Sequence, residues 1–422
     1  MQSSNTRVLV VGTTSDYIDW IRNSCPGRAL FLTDPTVRRD AQEPRPSPTE
    51  EILCDLSDYD AARRALQQHL DSEGLQLDGV ACYDCESMEL AAVLAREWGL
   101  PYPSVEAVNN CRDKYLSKTI WQRHGLQTPR VKQVKSAAEA AHFSHELGGP
   151  CVLKPLSGSG SELIFRCNDA QACENRFIDI QNGLQRRRSN RLYKSFFSGD
   201  PVILAEALVD GDEYSCDFMI QDGRVEIIRL TRKIISSHGP FGTALGYLLP
   251  GVLPAAVDED DLRQTLARSA SALGLERALC MLDFIIHQDH IFLLELAPRP
   301  GGDCLPFLLR WCWNLDVLKL FLDFCQGRPL CLPEKSNLRP GIGLRLHARQ
   351  SGTLKKIDAG RLQHDKRVAE IYLTRRAGHQ IKMPPEDYDA WLLGHIIFEP
   401  HGNSDPETQC RELIEKLVVE VE

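Results

Sequence analysis

No run of apolar residues in this 422-residue chain is long enough to span a bilayer or to form a secretory signal core. The stretch Val8-Leu9-Val10-Val11 is only a strand's length. Basic charge is scarce as well. Forty-nine Lys and Arg stand against 58 Asp and Glu, and the net charge of −9 argues against a nucleic-acid partner, which would need a cationic face. There is no internal repeat and no low-complexity tract. The lone Cys82/Cys85 CxxC has no second pair at zinc-ribbon spacing, so it reads as core packing rather than a metal or redox centre. The 15 cysteines are odd in number and scattered, which suits buried free thiols in a reducing cytoplasm better than a disulfide framework. What remains is a soluble cytoplasmic protein, 43% hydrophobic, with length for two or three cores.

The pattern along the chain divides it into four parts. Residues 1–110 alternate strands (Arg7–Val11, Gly79–Cys82) with helices (Asp16–Ser24, Ala61–Leu70, Ser87–Glu97), the signature of a Rossmann-like parallel sheet covered on both faces. Glu43–Pro48, with three prolines, reads as a surface loop. Residues 111–210 open with helices Asp113–His124 and Ala137–Leu147, each stopped by glycine. Strands Cys151–Lys154, Leu163–Arg166 and Val202–Glu206 follow, with Arg186-Arg187-Arg188 in a polar stretch read as a solvated loop. Residues 211–330 carry strands Glu213–Ile220 and Val225–Leu230 around the Asp222-Gly223 turn. They also carry the hairpin Met281–His287/Ile291–Glu295. Residues 331–422 read as a smaller α+β unit ending in a helix over Thr408–Val418.

Two segments carry chemistry. In Val152-Leu153-Lys154-Pro155-Leu156-Ser157-Gly158-Ser159-Gly160-Ser161 a buried strand delivers an ammonium, and a loop of small residues follows at once. Phosphate binding needs that pairing of a placed cation with backbone N–H groups free to close over oxygen atoms. The lysine precedes the glycines and no GKS or GKT follows, so this is not a Walker A loop. The second segment is the hairpin, whose Asp283 and Glu295 project from adjacent strands and can hold magnesium. Arg299, four residues past Glu295, offers a guanidinium for a phosphoryl group or an oxyanion. Each has a plain alternative: a surface loop beside a strand-end lysine, and a strand-end salt bridge.

The order of the segments carries more than either alone. Asp113-Lys114 with Lys118 comes first, then Lys154 and its loop. Glu206-Ala-Leu-Val-Asp-Gly-Asp-Glu213 follows, and Asp283 with Glu295-Leu-Ala-Pro-Arg299 comes last. In this order and spacing the chain resembles the ATP-grasp superfamily, and within it the branch of bacterial L-amino-acid ligases and related dipeptide and natural-product amide synthetases. The resemblance implies an ATP-grasp fold, α/β and α+β. It implies a Rossmann-like domain at 1–110, a small lid subdomain at 111–210, a central subdomain at 211–330 and a C-terminal unit at 331–422.

It further implies an ATP-dependent, ADP-forming carbon–nitrogen ligase that works through an acyl phosphate, uses ATP with Mg²⁺ or Mn²⁺, and takes small-molecule carboxylate and amine substrates, in a homodimer. Lys114 and Lys154 would contact the ATP phosphates beneath a lid formed by Ser157, Gly158, Ser159, Gly160 and Ser161. Glu206, Ala207, Leu208 and Val209 would meet adenine, Glu213 the ribose, and Lys233 the nucleotide from a neighbouring strand. Asp283 and Glu295 would hold metal, and Arg299 the phosphate and intermediate. His238, in the loop Ser236–Gly242, reads as a plain loop histidine near the acceptor. Ala297 departs from the family pattern, in which an asparagine often helps bind a second metal, and alanine cannot coordinate. Two other readings stay open: a carboxylase or formyl-phosphate-type ATP-grasp enzyme, which shares the architecture, and, on account of Ala297, a nucleotide-binding protein without turnover.

Overall fold

A computed structural model gives the structure, described here for residues 5–39, 41–197, 202–402 and 404–422. The strand Thr6–Val11 lies inside a four-stranded parallel sheet, ordered Glu51–Leu53, Ala29–Thr33, Thr6–Val11, Gln76–Ala81. Its side chains alternate between two cores, as a two-residue period requires. Leu9 and Val11 join Leu66, Leu90 and Leu94, while Val8 and Val10 join Ile18, Phe321 and Leu318. Both faces are therefore apolar, which explains the unbroken hydrophobic run in the sequence. The helix Tyr59–Glu73 starts where the Asp58 side chain accepts from the Ala61 amide, and ends at Gly74 in the left-handed conformation.

A second, antiparallel four-stranded sheet, ordered Val131–Val134, Ile203–Ala207, Cys151–Pro155, Phe165–Cys167, lies in the stretch expected as the lid subdomain. Helices Ala137–Leu147 and Ala170–Arg186 bury Phe143, Phe177 and Ile180 with it. The largest sheet has eight strands in the order His290–Ala297, Arg277–His287, Asp212–Gln221, Arg224–Ile235, Ala244–Leu249, Gly341–His347, Leu392–Phe398, Val368–Leu373. Helices Leu305–Trp313 and Val317–Cys325 bury apolar side chains in one cluster with the parallel sheet's Val8, Val10 and Phe31 and the large sheet's Met219, Ile228 and Leu279. No helix among the described residues is long and apolar enough to cross a membrane.

Four expectations change. Strands from 331–422, read as a smaller unit of their own, pair into the eight-stranded sheet with those of 211–330. The last helix is Pro406–Ile414. The chain beyond it, β-branched Val418-Val419 and Val421, pairs as a strand with Gly352–Asp358. Leu163 takes a positive φ of 56°, so the lid's edge strand begins only at Phe165. The arginine triplet is not simply solvated either: Arg187 reaches Glu162 at 2.5 Å and the carbonyls of Pro385 and Glu386, tying the lid to the C-terminal part.

Candidate active site

The hairpin register decides where the two acids lie. Asp283 and Glu295 are directly paired across neighbouring antiparallel strands, so both side chains leave the same face of the large sheet. Lys154 comes from the lid strand that faces this sheet, and Lys114 is the first residue of the helix Lys114–Arg123. That helix is held in place by Asp113, whose carboxylate accepts from the amides of Tyr115 and Leu116. Lys114 Nζ reaches Glu295 Oε2 at 3.1 Å and donates to the Gly158 carbonyl at 3.0 Å, so one ammonium links metal-type acid and lid loop. Lys114, Lys154, Ser157 through Ser161, Glu213, Lys233, Asp283, Glu295 and Arg299 all line a single cavity of about 400 Å³.

The loop over this cavity bends through left-handed backbone at Gly160 (φ 65°) and Ser161 (φ 60°). It is anchored at both ends, by Ser157 Oγ donating to the Leu192 carbonyl and Ser161 Oγ to that of Gly242. On the far side the chain after Glu295 turns past a fully buried ion pair. Arg229 and Asp217, each 0% exposed, bond at 2.7 Å, and the Gly301 amide donates to the same carboxylate. A Cβ on Gly301 would lie 2.8 Å from the Arg229 guanidinium, so glycine is required there. The turn delivers Arg299 into a buried position, its Nε and Nη2 on Cys85 Sγ at 3.3 and 2.9 Å and its Nη1 on the Pro300 carbonyl.

Glu206, Ala207, Leu208 and Val209 do not line the cavity. Glu206 is 3% exposed and holds two ammoniums, Lys118 Nζ at 3.0 Å and Lys154 Nζ at 2.8 Å. Burial alone would push its carboxyl up, but those two lysines overrule it and hold the group below the usual carboxylate range. The amides of Ala207 and Leu208 donate to the carbonyls of Arg130 and Pro150. Lys233 sits between two acids, 2.5 Å from Glu213 and 2.7 Å from Asp283. Burial disfavours its charge, yet the two carboxylates hold the ammonium well above the ordinary range. His238 lies outside the cavity on an exposed loop, against Ser237 and Arg411.

The sequence reading had not singled out a second, adjoining cavity of about 560 Å³. It is walled by residues that follow three parallel strands, at Thr13–Tyr17, at Thr36, Val37, Ala41, Gln42 and Glu43, and at Tyr83–Glu86, and by Tyr372, Arg375 and His395 from the C-terminal stretch. The carboxyl ends of parallel strands are where α/β folds place ligands. Cys85, Ser159, Arg299, Gly302, Asp303 and Leu392 line both cavities, so Arg299 stands at the junction. The only sequence signal for this second space was the end of each strand.

Residues 147–306, which carry the Lys154 strand with its loop and the Asp283/Glu295 hairpin, match the family model of the ATP-grasp domain. The whole fold agrees: the crystal structure of an L-amino acid ligase from Bacillus licheniformis superposes with a TM-score of 0.81, at 20% identity, covering 99% of both chains. In sequence, an uncharacterized protein of Sinorhizobium fredii is 25% identical over 380 residues, 86% of this chain and 75% of that protein. A D-alanine–D-alanine ligase of Acidovorax ebreus is 29% identical over 214 residues, 48% of this chain and 59% of that enzyme.

Proposed function

We propose that this protein joins a carboxylate to an amine at the expense of ATP, releasing ADP and phosphate, with amino-acid-like molecules as substrates. The observation that carries the reading is the convergence of Lys114, Lys154, Asp283, Glu295 and Arg299 on one cavity that opens, at Arg299, into a second one. The relatives named as a D-alanine–D-alanine ligase and an L-amino acid ligase support it.

Asp283 and Glu295 suit Mg²⁺ or Mn²⁺, since both are hard oxygen donors on one sheet face. Asp283 Oδ1 is buried with no hydrogen-bond partner, the state expected of an oxygen reserved for a cation. Ala297 is 4% exposed and packed in the core, so these two carboxylates would hold the metal without it. A bound divalent ion would neutralise phosphate charge during transfer.

The chain's own groups do the rest. Lys114 and Lys154 hold the triphosphate, and the 157–161 loop closes over it and keeps water out. A substrate carboxylate oxygen attacks the γ-phosphorus, the bond to the bridging oxygen breaks, and ADP leaves. The resulting acyl phosphate has a good leaving group, which free carboxylate does not. A neutral amine nitrogen then attacks the acyl carbon, the carbon–oxygen bond to phosphate breaks, and the nitrogen sheds a proton. The Arg299 guanidinium stabilises the oxyanion of that step.

ADP release measured over a matrix of carboxylates and amines tests the reading. Release that requires both partners supports it. Release with bicarbonate or formate alone, or none with any pair, would overturn it.

A further inference from the structure

Charge in the second cavity points to the kind of amine it takes. Among the described residues six carboxylates line it, but Asp303 and Asp389 are already paired, with Arg345 at 2.5 Å and Arg375 at 2.7 Å. The other four, Asp16, Glu43, Asp84 and Glu86, have no lysine or arginine within ion-pair distance among the described residues. Among the described residues the lining holds two cations, Arg375 and Arg299. Arg375 is held by Asp389 and the Leu392 carbonyl, and Arg299 rests on Cys85 and the Pro300 carbonyl at the junction with the first cavity, where the transfer chemistry uses it.

The four acids stand as two mutually repelling pairs. Burial first, and Glu43 as a repelling neighbour, raise the Asp16 carboxyl; burial and Glu86 push Asp84 up to about 6. A cation placed between them would relieve both. Aromatic rings complete the wall, with Tyr372 stacked on Phe307 at 5.4 Å and its hydroxyl donating to Glu43 at 3.0 Å. Such rings accept a cation's stem and its charge.

Independent of the acids, two polar atoms point to an absent ligand. Thr13 and His395 line this cavity and are each 4% exposed, yet Thr13 Oγ1 and His395 Nε2 have no hydrogen-bond partner. Buried polar atoms are seldom left so.

We propose that the amine substrate entering this cavity is a dication, a basic amino acid or a diamine. The inference rests on the ligase reading and names the amine that reading requires. A singly charged amine would not suit. Carboxylates that bind the reacting ammonium hold its proton on, and only the neutral nitrogen attacks. The acid wall therefore serves a second, non-reacting positive group, which keeps its charge throughout while the first loses its proton.

The test uses the full chain with ATP and Mg²⁺, one accepted carboxylate, and amines matched in stem: lysine against norleucine, and 1,5-diaminopentane against pentylamine. Lysine or the diamine should exceed the match that lacks the second ammonium about tenfold or more in kcat/KM, the size expected of one charge-assisted contact. The preferred arm of the two tells whether the substrate carries a carboxylate. D16N and E43Q should shrink that ratio about tenfold, through KM rather than kcat. Equal or better turnover of norleucine and pentylamine would overturn the inference and leave the ligase reading standing. If no pair releases ADP, the ligase reading fails. Calorimetric binding of lysine against norleucine then decides the charge question alone: tighter lysine supports the acid wall, equal or absent binding ends it.

Discussion

Glu206→Gln probes the buried charges beneath the phosphate-type lysines. The glutamate is 3% exposed and Lys118 is 0% exposed, their ion pair measuring 3.0 Å, with Lys154 on the other oxygen at 2.8 Å. Glutamine keeps the shape and removes the charge, so two ammoniums face each other in a low dielectric. Breaking a buried pair from one side costs about 3–5 kcal/mol. Part of this is relieved if Lys118 gives up its proton. Burial, opposed by Glu206, already presses that ammonium down to about 8, and without Glu206 it falls further.

The sign follows from linkage. A lysine lowered on folding opposes stability while charged, and the opposition fades as pH rises from its folded towards its unfolded value, because there only the unfolded chain holds the proton. In the variant that recovery begins at lower pH than in the wild type. The deficit should thus be about 3 kcal/mol or more near pH 6, narrow on the way to pH 8, and stay level above it. Urea unfolding of both proteins at pH 6, 7 and 8 without nucleotide measures it. A deficit below about 1 kcal/mol at pH 6, or one that widens with pH, would refute the buried-pair reasoning.

Asp283→Asn and Glu295→Gln should each lower ADP release by about 10²–10³-fold, and Mn²⁺ binding followed by electron paramagnetic resonance should weaken in parallel. Arg299→Lys should lose about 10²-fold in kcat, because one ammonium cannot reproduce the guanidinium fork; hydroxylamine added to the wild type should trap a hydroxamate if the acyl phosphate forms. Asp84→Asn should make the protein more stable at pH 7, by about 1–3 kcal/mol, since a carboxyl raised on folding disfavours the native state once ionised. That gain should vanish below about pH 4, where folded and unfolded chains both hold the proton, and chemical denaturation at the two pH values checks it.

The parts of this protein that depend on short-range pattern were legible in the chain itself. Alternating apolar runs marked the parallel sheet, the hairpin around Gln288-Asp289-His290 put Asp283 opposite Glu295, and the strand-end position of Lys154 ahead of small residues marked the loop that lines the cavity. Each follows from a two- or 3.6-residue period, or from the conformational freedom of glycine, and neighbours in sequence suffice to show it. Tertiary structure alone decided the pairing of charges. Nothing near Glu206 announces that its partners are Lys118, 88 positions earlier, and Lys154, 52 positions earlier. Nor does Lys233 reveal that it lies between Glu213 and Asp283. The acid-walled cavity is the clearest case. Its carboxylates at 16, 43, 84 and 86 meet only because parallel strands end at one edge of a sheet, and their want of counter-ions is a property of three-dimensional proximity that no local spacing encodes.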